Sequence, residues 1–117
     1  MTITSSMQDI AIAAARAALD KKANDVLVLK VSPLTAEADF FVVCSAETQV
    51  QINTIVREVI ARLEDAGVSL LRHEGRGGNS WVLLDYGGVV VHIFEEADRA
   101  YYNLEKLWAD AERVPVS

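Results

Sequence analysis

The sequence predicts a single mixed α/β (α+β) domain, in which helices pack on a five-stranded sheet in the order α-β-β-α-β-β-β-α. Three observations lead there. Apolar residues recur at i, i+3 and i+4 between Ile52 and Leu63, the pattern of a helix with one buried face. Residues 40–44 are apolar at every position, as in a strand covered on both sides. Two apolar runs flank Asp85-Tyr86-Gly87-Gly88, whose glycines supply the positive φ that a tight hairpin turn needs.

Each element has its own local reason. Ser6, with Asp9 three positions later, reads as a capping box in which Asp replaces the usual Glu or Gln. The alanine-rich helix that follows puts Ile10, Ala14, Ala17 and Ala18 on one face and runs to about Lys22. Lys21 and Lys22 suit its negative C-terminal end. Asn24-Asp25 breaks the helix, residues 26–31 form a short β-branched strand, and Ser32-Pro33 ends it, because proline donates nothing to a ladder. The central strand comes next. Thr48 or Glu47 caps the second helix, which buries Ile52, Ile55, Val56, Val59, Ile60 and Leu63 and stops with Gly67 at C′. Residues 68–74 read as a third strand and residues 75–80 as a polar, glycine-rich loop. The two hairpin strands and a closing helix from about Glu95 complete a domain spanning residues 1–117, with short flexible ends at about 1–5 and 112–117.

Composition narrows the class. Of 117 residues, 51% are apolar and 24% charged, ordinary for a globular protein, and no apolar run approaches the roughly 20 residues of a membrane span. The N-terminus shows no basic flank followed by an apolar block, and the single cysteine, Cys44, permits no internal disulfide; a cytoplasmic location is expected. A net charge of −6 argues against phosphate-backbone binding, since the only basic cluster, around Arg72 and Arg76, is interrupted by Glu74. It suits a basic protein partner better.

The aromatic residues say most. Both tryptophans and all three tyrosines fall between Trp81 and Trp108, and Trp and Tyr are the usual anchors of protein interfaces. On a strand, Trp81, Leu83 and Asp85 share one face while Val82, Leu84 and Tyr86 share the other. A tryptophan on the same face as a carboxylate points to a half-exposed contact surface. Asp85 also has the ordinary task of Asp before a glycine, holding the turn. Glu95, Glu96 and Asp98 read as a solvated helix start. His92, alternating with Val90 and Phe94, reads as a hydrogen-bonded structural residue, and no pair of His, Cys or acid has metal-binding spacing. Cys44, inside an apolar strand with no base committed to it, reads as a small hydrophobe.

The ordered segments Ala38-Asp39-Phe40-Phe41-Val42-Val43-Cys44-Ser45, Glu74-Gly75, Trp81-Val82-Leu83-Leu84-Asp85-Tyr86-Gly87, Val89-Val90-Val91-His92-Ile93-Phe94 and Tyr101 through Ala111 together resemble the ribosomal silencing factor (Iojap) family. The chain departs from the family pattern at Gly88, where a second acid is usual, and at residues 47–50, which offer no arginine. The resemblance implies a nucleotidyltransferase-like fold without the catalytic set. It implies no enzyme activity, no cofactor and no metal. It also implies a translational repressor that binds the large ribosomal subunit through ribosomal protein fourteen and keeps the small subunit from joining. On that reading the docking surface comprises Trp81, Leu83, Asp85, Tyr86 and Gly87 of the hairpin with Tyr102, Leu104, Glu105 and Trp108 of the closing segment, although the helical apolar spacing at Trp108 itself favours packing. Two rivals stand beside it: a homodimeric adaptor that uses the same face, and a nucleotidyltransferase. The enzyme would need a Gly-Ser pair and acids spaced for metal on a strand; the chain has no Gly-Ser pair, and no expected strand carries such acids.

Overall fold

The computed structural model describes residues 6–32, 34–75, 81–97 and 109–116. Along them run α1 (Met7–Asp20), β1 (Asn24–Lys30), β2 (Phe40–Ala46), α2 (Gln49–Asp65), β3 (Arg72–Glu74), β4 (Trp81–Asp85), β5 (Val89–Glu95) and β6 (Glu112–Val114). The strands form one sheet in the order β3-β4-β5-β2-β1-β6. Only β2 and β5 pair in parallel; every other neighbour is antiparallel.

Local chemistry sets the helix ends. The Ser6 hydroxyl accepts the Asp9 N–H at 3.1 Å and so caps α1. Thr48, not Glu47, caps α2, accepting the Gln51 N–H at 3.1 Å. Beyond α2, Gly67 takes φ +82 at the expected C′ position. Both helices lie on one face of the sheet. The small Ala11, Ala14, Ala15, Ala17 and Ala18 let α1 approach closely, and α2 contributes Ile52, Ile55, Val59 and Leu63. These meet Phe40, Val42, Cys44, Val82, Leu84, Val91 and Ile93 in the main core. Arg62 ties α2 to the end of α1, reaching Asp20 at 2.8 Å and Glu58 at 2.6 Å. A second cluster occupies the other face, built on Leu29, Val31, Ala38, Val43 and Phe94, with Phe41, Trp81 and Val90 packed against it.

Three expectations need correction. The sheet has six strands rather than five, because residues 112–114, expected in a flexible tail, pair with β1 through Val28↔Val114 and Lys30↔Glu112. A three-residue strand with two exposed charged residues carries too little periodicity to stand out, although Val114 reaches the main core. The third strand is shorter than residues 68–74. Val68 and Leu70 turn toward the helix-face core instead of pairing, and strand geometry is confined to Arg72–Glu74. The fifth strand runs on through Glu95, so the helical turn expected from about Glu95 starts instead at Glu96 and Ala97. Residues 98–108, where the closing helix is expected to continue, and residues 76–80 of the expected glycine-rich loop lie outside the described residues.

Leu63→Ala, which empties a fully buried position at the foot of α2, should lower the unfolding free energy by about 2–5 kcal/mol in urea denaturation. Val50→Ala, on the same helix at 74% exposure, should change it by no more than about 0.5 kcal/mol.

Candidate functional site

The hairpin is held at both ends of its turn. β4 and β5 pair with Trp81 opposite Phe94, Leu83 opposite His92 and Asp85 opposite Val90. The Tyr86 N–H donates to the Val89 carbonyl at 2.8 Å, and the Gly87 N–H donates to Asp85 Oδ1 at 2.8 Å. Gly87 has φ +94, a backbone state that side chains disfavour, so glycine is needed there. Gly75 has φ +84 as well, and a Cβ at that position would also run into the carbonyl oxygen of Trp81. A side chain at Gly88 would meet the Met7 thioether and come within 3.1 Å of an Asp39 carboxylate oxygen. An acid there would therefore displace Met7 and crowd a like charge.

Alternation along β4 separates the residues that the sequence groups together. Val82, Leu84 and Tyr86 face the helices and are buried, whereas Trp81, Leu83 and Asp85 are half-buried on the opposite face. Tyr86, expected on the docking surface, is only 8% exposed and sits behind it. Trp81 is partly buried. Its ring stacks on Phe94 with centroids 5.0 Å apart, and its Nε1–H donates to His92 Nδ1 at 3.2 Å. Phe41 meets His92 edge-on at 4.8 Å. Because His92 Nδ1 accepts, the neutral ring carries its proton on Nε2, which has no hydrogen-bond partner among the described residues. Burial lowers the His92 pKa to about 4. Cys44 and His92 lie on adjacent strands but point to opposite faces, so they cannot share a metal ion. Among the described residues no group of three or more His, Cys, Asp or Glu is placed to hold one.

Beside the hairpin face lies a cleft of about 440 Å³, lined by Glu37, Ala38, Phe41, Arg72, Leu83, Asp85, Val90 and His92. Its floor is apolar and aromatic. Arg72, across from Asp85 in the β3–β4 pairing, lies 3.6 Å from the Asp85 carboxylate and 3.3 Å from that of Glu74. Among the described residues, Glu37, Glu74 and Asp85 therefore outnumber Arg72 at this rim. An apolar floor with a charged rim matches the anatomy of a protein-contact surface. Tyr102, Leu104, Glu105 and Trp108 lie outside the described residues.

One polar network escaped the sequence reading. Glu96 is not simply a solvated helix start: its carboxylate accepts from Asn24 Nδ2 at 2.9 Å and from the buried Ser45 hydroxyl at 3.0 Å. Gln49 reaches the neighbouring Glu95 at 3.3 Å. These contacts join segments 46 to 72 residues apart, so no local pattern announces them. They fix where the chain leaves β5 for its closing segment.

Known proteins agree with this architecture. The family model described as ribosomal silencing factor during starvation matches residues 4–117. The ribosomal silencing factor of Halalkalibacterium halodurans is 41% identical over 109 residues, covering 93% of this chain and 93% of that protein. That of Bacillus subtilis is 42% identical over 98 residues, covering 84% of this chain and 83% of that protein. A crystal structure of a Chromobacterium violaceum protein superposes with a TM-score of 0.87 at 32% identity, covering 97% of this chain and 93% of that one.

The buried His92 has a measurable consequence. Its folded pKa, near 4, lies below the ordinary 6.5, so between those values the unfolded chain binds the proton and the folded chain does not. Its contribution to stability is complete above about pH 6.5 and is lost as pH falls toward 4, with a slope of up to about 1.4 kcal/mol per pH unit. Urea denaturation at pH 7, 6 and 5 should show this decline, and His92→Gln should flatten it.

Proposed function

Because the chain belongs to the ribosomal silencing factor family, we propose that it represses translation by binding the large ribosomal subunit through ribosomal protein fourteen. The bound domain occupies space that the small subunit needs, so joining is blocked by exclusion alone, in the cytoplasm and without a chemical step. The observation that carries this reading is the half-exposed hairpin face, where Trp81 and Leu83 stand beside Asp85 at the mouth of an apolar cleft. In this mechanism the apolar side chains supply most of the affinity, and the carboxylate sets register against a basic partner. Gly87, without a side chain, lets the partner approach the turn, and Tyr86 supports that turn from behind. On the same reading Tyr102, Leu104, Glu105 and Trp108 also contact the partner.

Trp81→Ala is a poor probe of contact, because it also removes the stack on Phe94 and the hydrogen bond to His92. Asp85→Asn is cleaner: it keeps an acceptor for the Gly87 N–H and removes the charge, and with it only the long pairing to the solvent-exposed Arg72. Asp85→Asn and Leu83→Ala should each weaken binding to purified large subunits by about tenfold while leaving the circular-dichroism spectrum and melting temperature unchanged. Unchanged binding in both variants would remove the hairpin face from the interface.

A further inference from the structure

Tyr86 lies in the wall of a second cleft, on the helix side of the sheet and behind the hairpin face. Its ring is buried against the main core with 8% exposure, and its hydroxyl has no hydrogen-bond partner among the described residues. A buried hydroxyl left unpaired is costly, so a group that satisfies it gains affinity. The cleft, of about 430 Å³, opens between the end of α2 and the loop that follows, and falls within the size range of small-ligand sites. Its wall is apolar at Ile60, Val68 and Leu70. Its charge is Glu64, exposed at the rim, whose carboxylate has neither an ion pair nor a hydrogen bond among the described residues. No cation lines it among the described residues.

We infer that this cleft is a binding site for an organic cation, an ammonium or guanidinium on a short apolar stem. The stem lies along Ile60, Val68 and Leu70, the cationic N–H groups reach the Glu64 carboxylate, and the Tyr86 oxygen accepts a further hydrogen bond. Burial, reinforced by the Glu64 charge, raises the Tyr86 pKa to about 12, so the phenol stays neutral at any physiological pH. It thus presents a hydroxyl rather than a second negative charge. The chain's net charge of −6 adds a favourable background for a cation. The site lies on the face opposite Trp81, Leu83 and Asp85, so filling it leaves those three residues uncovered.

The test is a nuclear magnetic resonance titration of the full 15N-labelled chain with butylammonium, with N-acetyl-lysine methylamide and with neutral butanol. Saturable amide shifts confined to Glu64, Val68, Leu70 and Tyr86 are expected with the cations and not with butanol. If both cations saturate, a free amine suffices; if only the lysine amide does, the cation belongs to a peptide. Tyr86→Phe removes one oxygen that has no partner in the fold, so its melting temperature should be retained or raised while cation affinity falls about tenfold. Glu64→Gln, at an exposed helical position, should weaken binding by a similar factor. Absence of saturable shifts with either cation, equal shifts with butanol, or unchanged affinity in both variants would overturn the assignment.

Discussion

The parallel pairing of β2 with β5 constrains everything else. Seven residue pairs, from Phe40↔Val89 to Ala46↔Glu95, run down the middle of the sheet, and both strands are buried on both faces. Because side chains alternate, a slip of one residue would drive His92 into the helix-face core and pull Ile93 out of it. Register is therefore fixed where it matters most. A parallel pair also demands a long crossover, and this one contains α2, β3 and β4. That route brings β4 back antiparallel to β5 and turns one face of the hairpin away from the helices.

The two faces of the hairpin then have different work. Toward the helices, Val82, Leu84 and Tyr86 close the main core. Away from them, Trp81 spans two roles at once, packing on Phe94 and fixing the His92 tautomer while remaining half-exposed. Asp85 is similarly shared between the Gly87 N–H, Arg72 and solvent. On the proposed reading, contact residues that also hold the fold give a surface with little freedom to rearrange, which would limit the ordering cost of binding.

Much of this was legible in the sequence, for reasons that differ by element. α2 announces itself because its apolar stripe, its Thr48 cap and its Gly67 stop all agree. β2 is legible from continuous apolarity, and the hairpin from its paired glycines. The alternation on β4 even separates Tyr86 from Trp81, yet grouping Tyr86 with the docking residues by proximity in the chain ignores the pleat. β6 and the Asn24–Ser45–Glu96 network stayed hidden because both depend on distant pairing, with short polar stretches that resemble ordinary surface. The cleft behind Tyr86 was hidden for a related reason. It exists because residues 68–70 leave the sheet, and only tertiary packing decides that.

Whether the domain keeps ribosomal subunits apart is measured most directly by mixing purified large and small subunits with and without the protein and resolving them on sucrose gradients. Exclusion at the large subunit predicts that the protein comigrates with large subunits and that the joined-ribosome peak falls as protein is added. Undiminished joining with the protein bound to large subunits, or protein that remains at the top of every gradient, would contradict it.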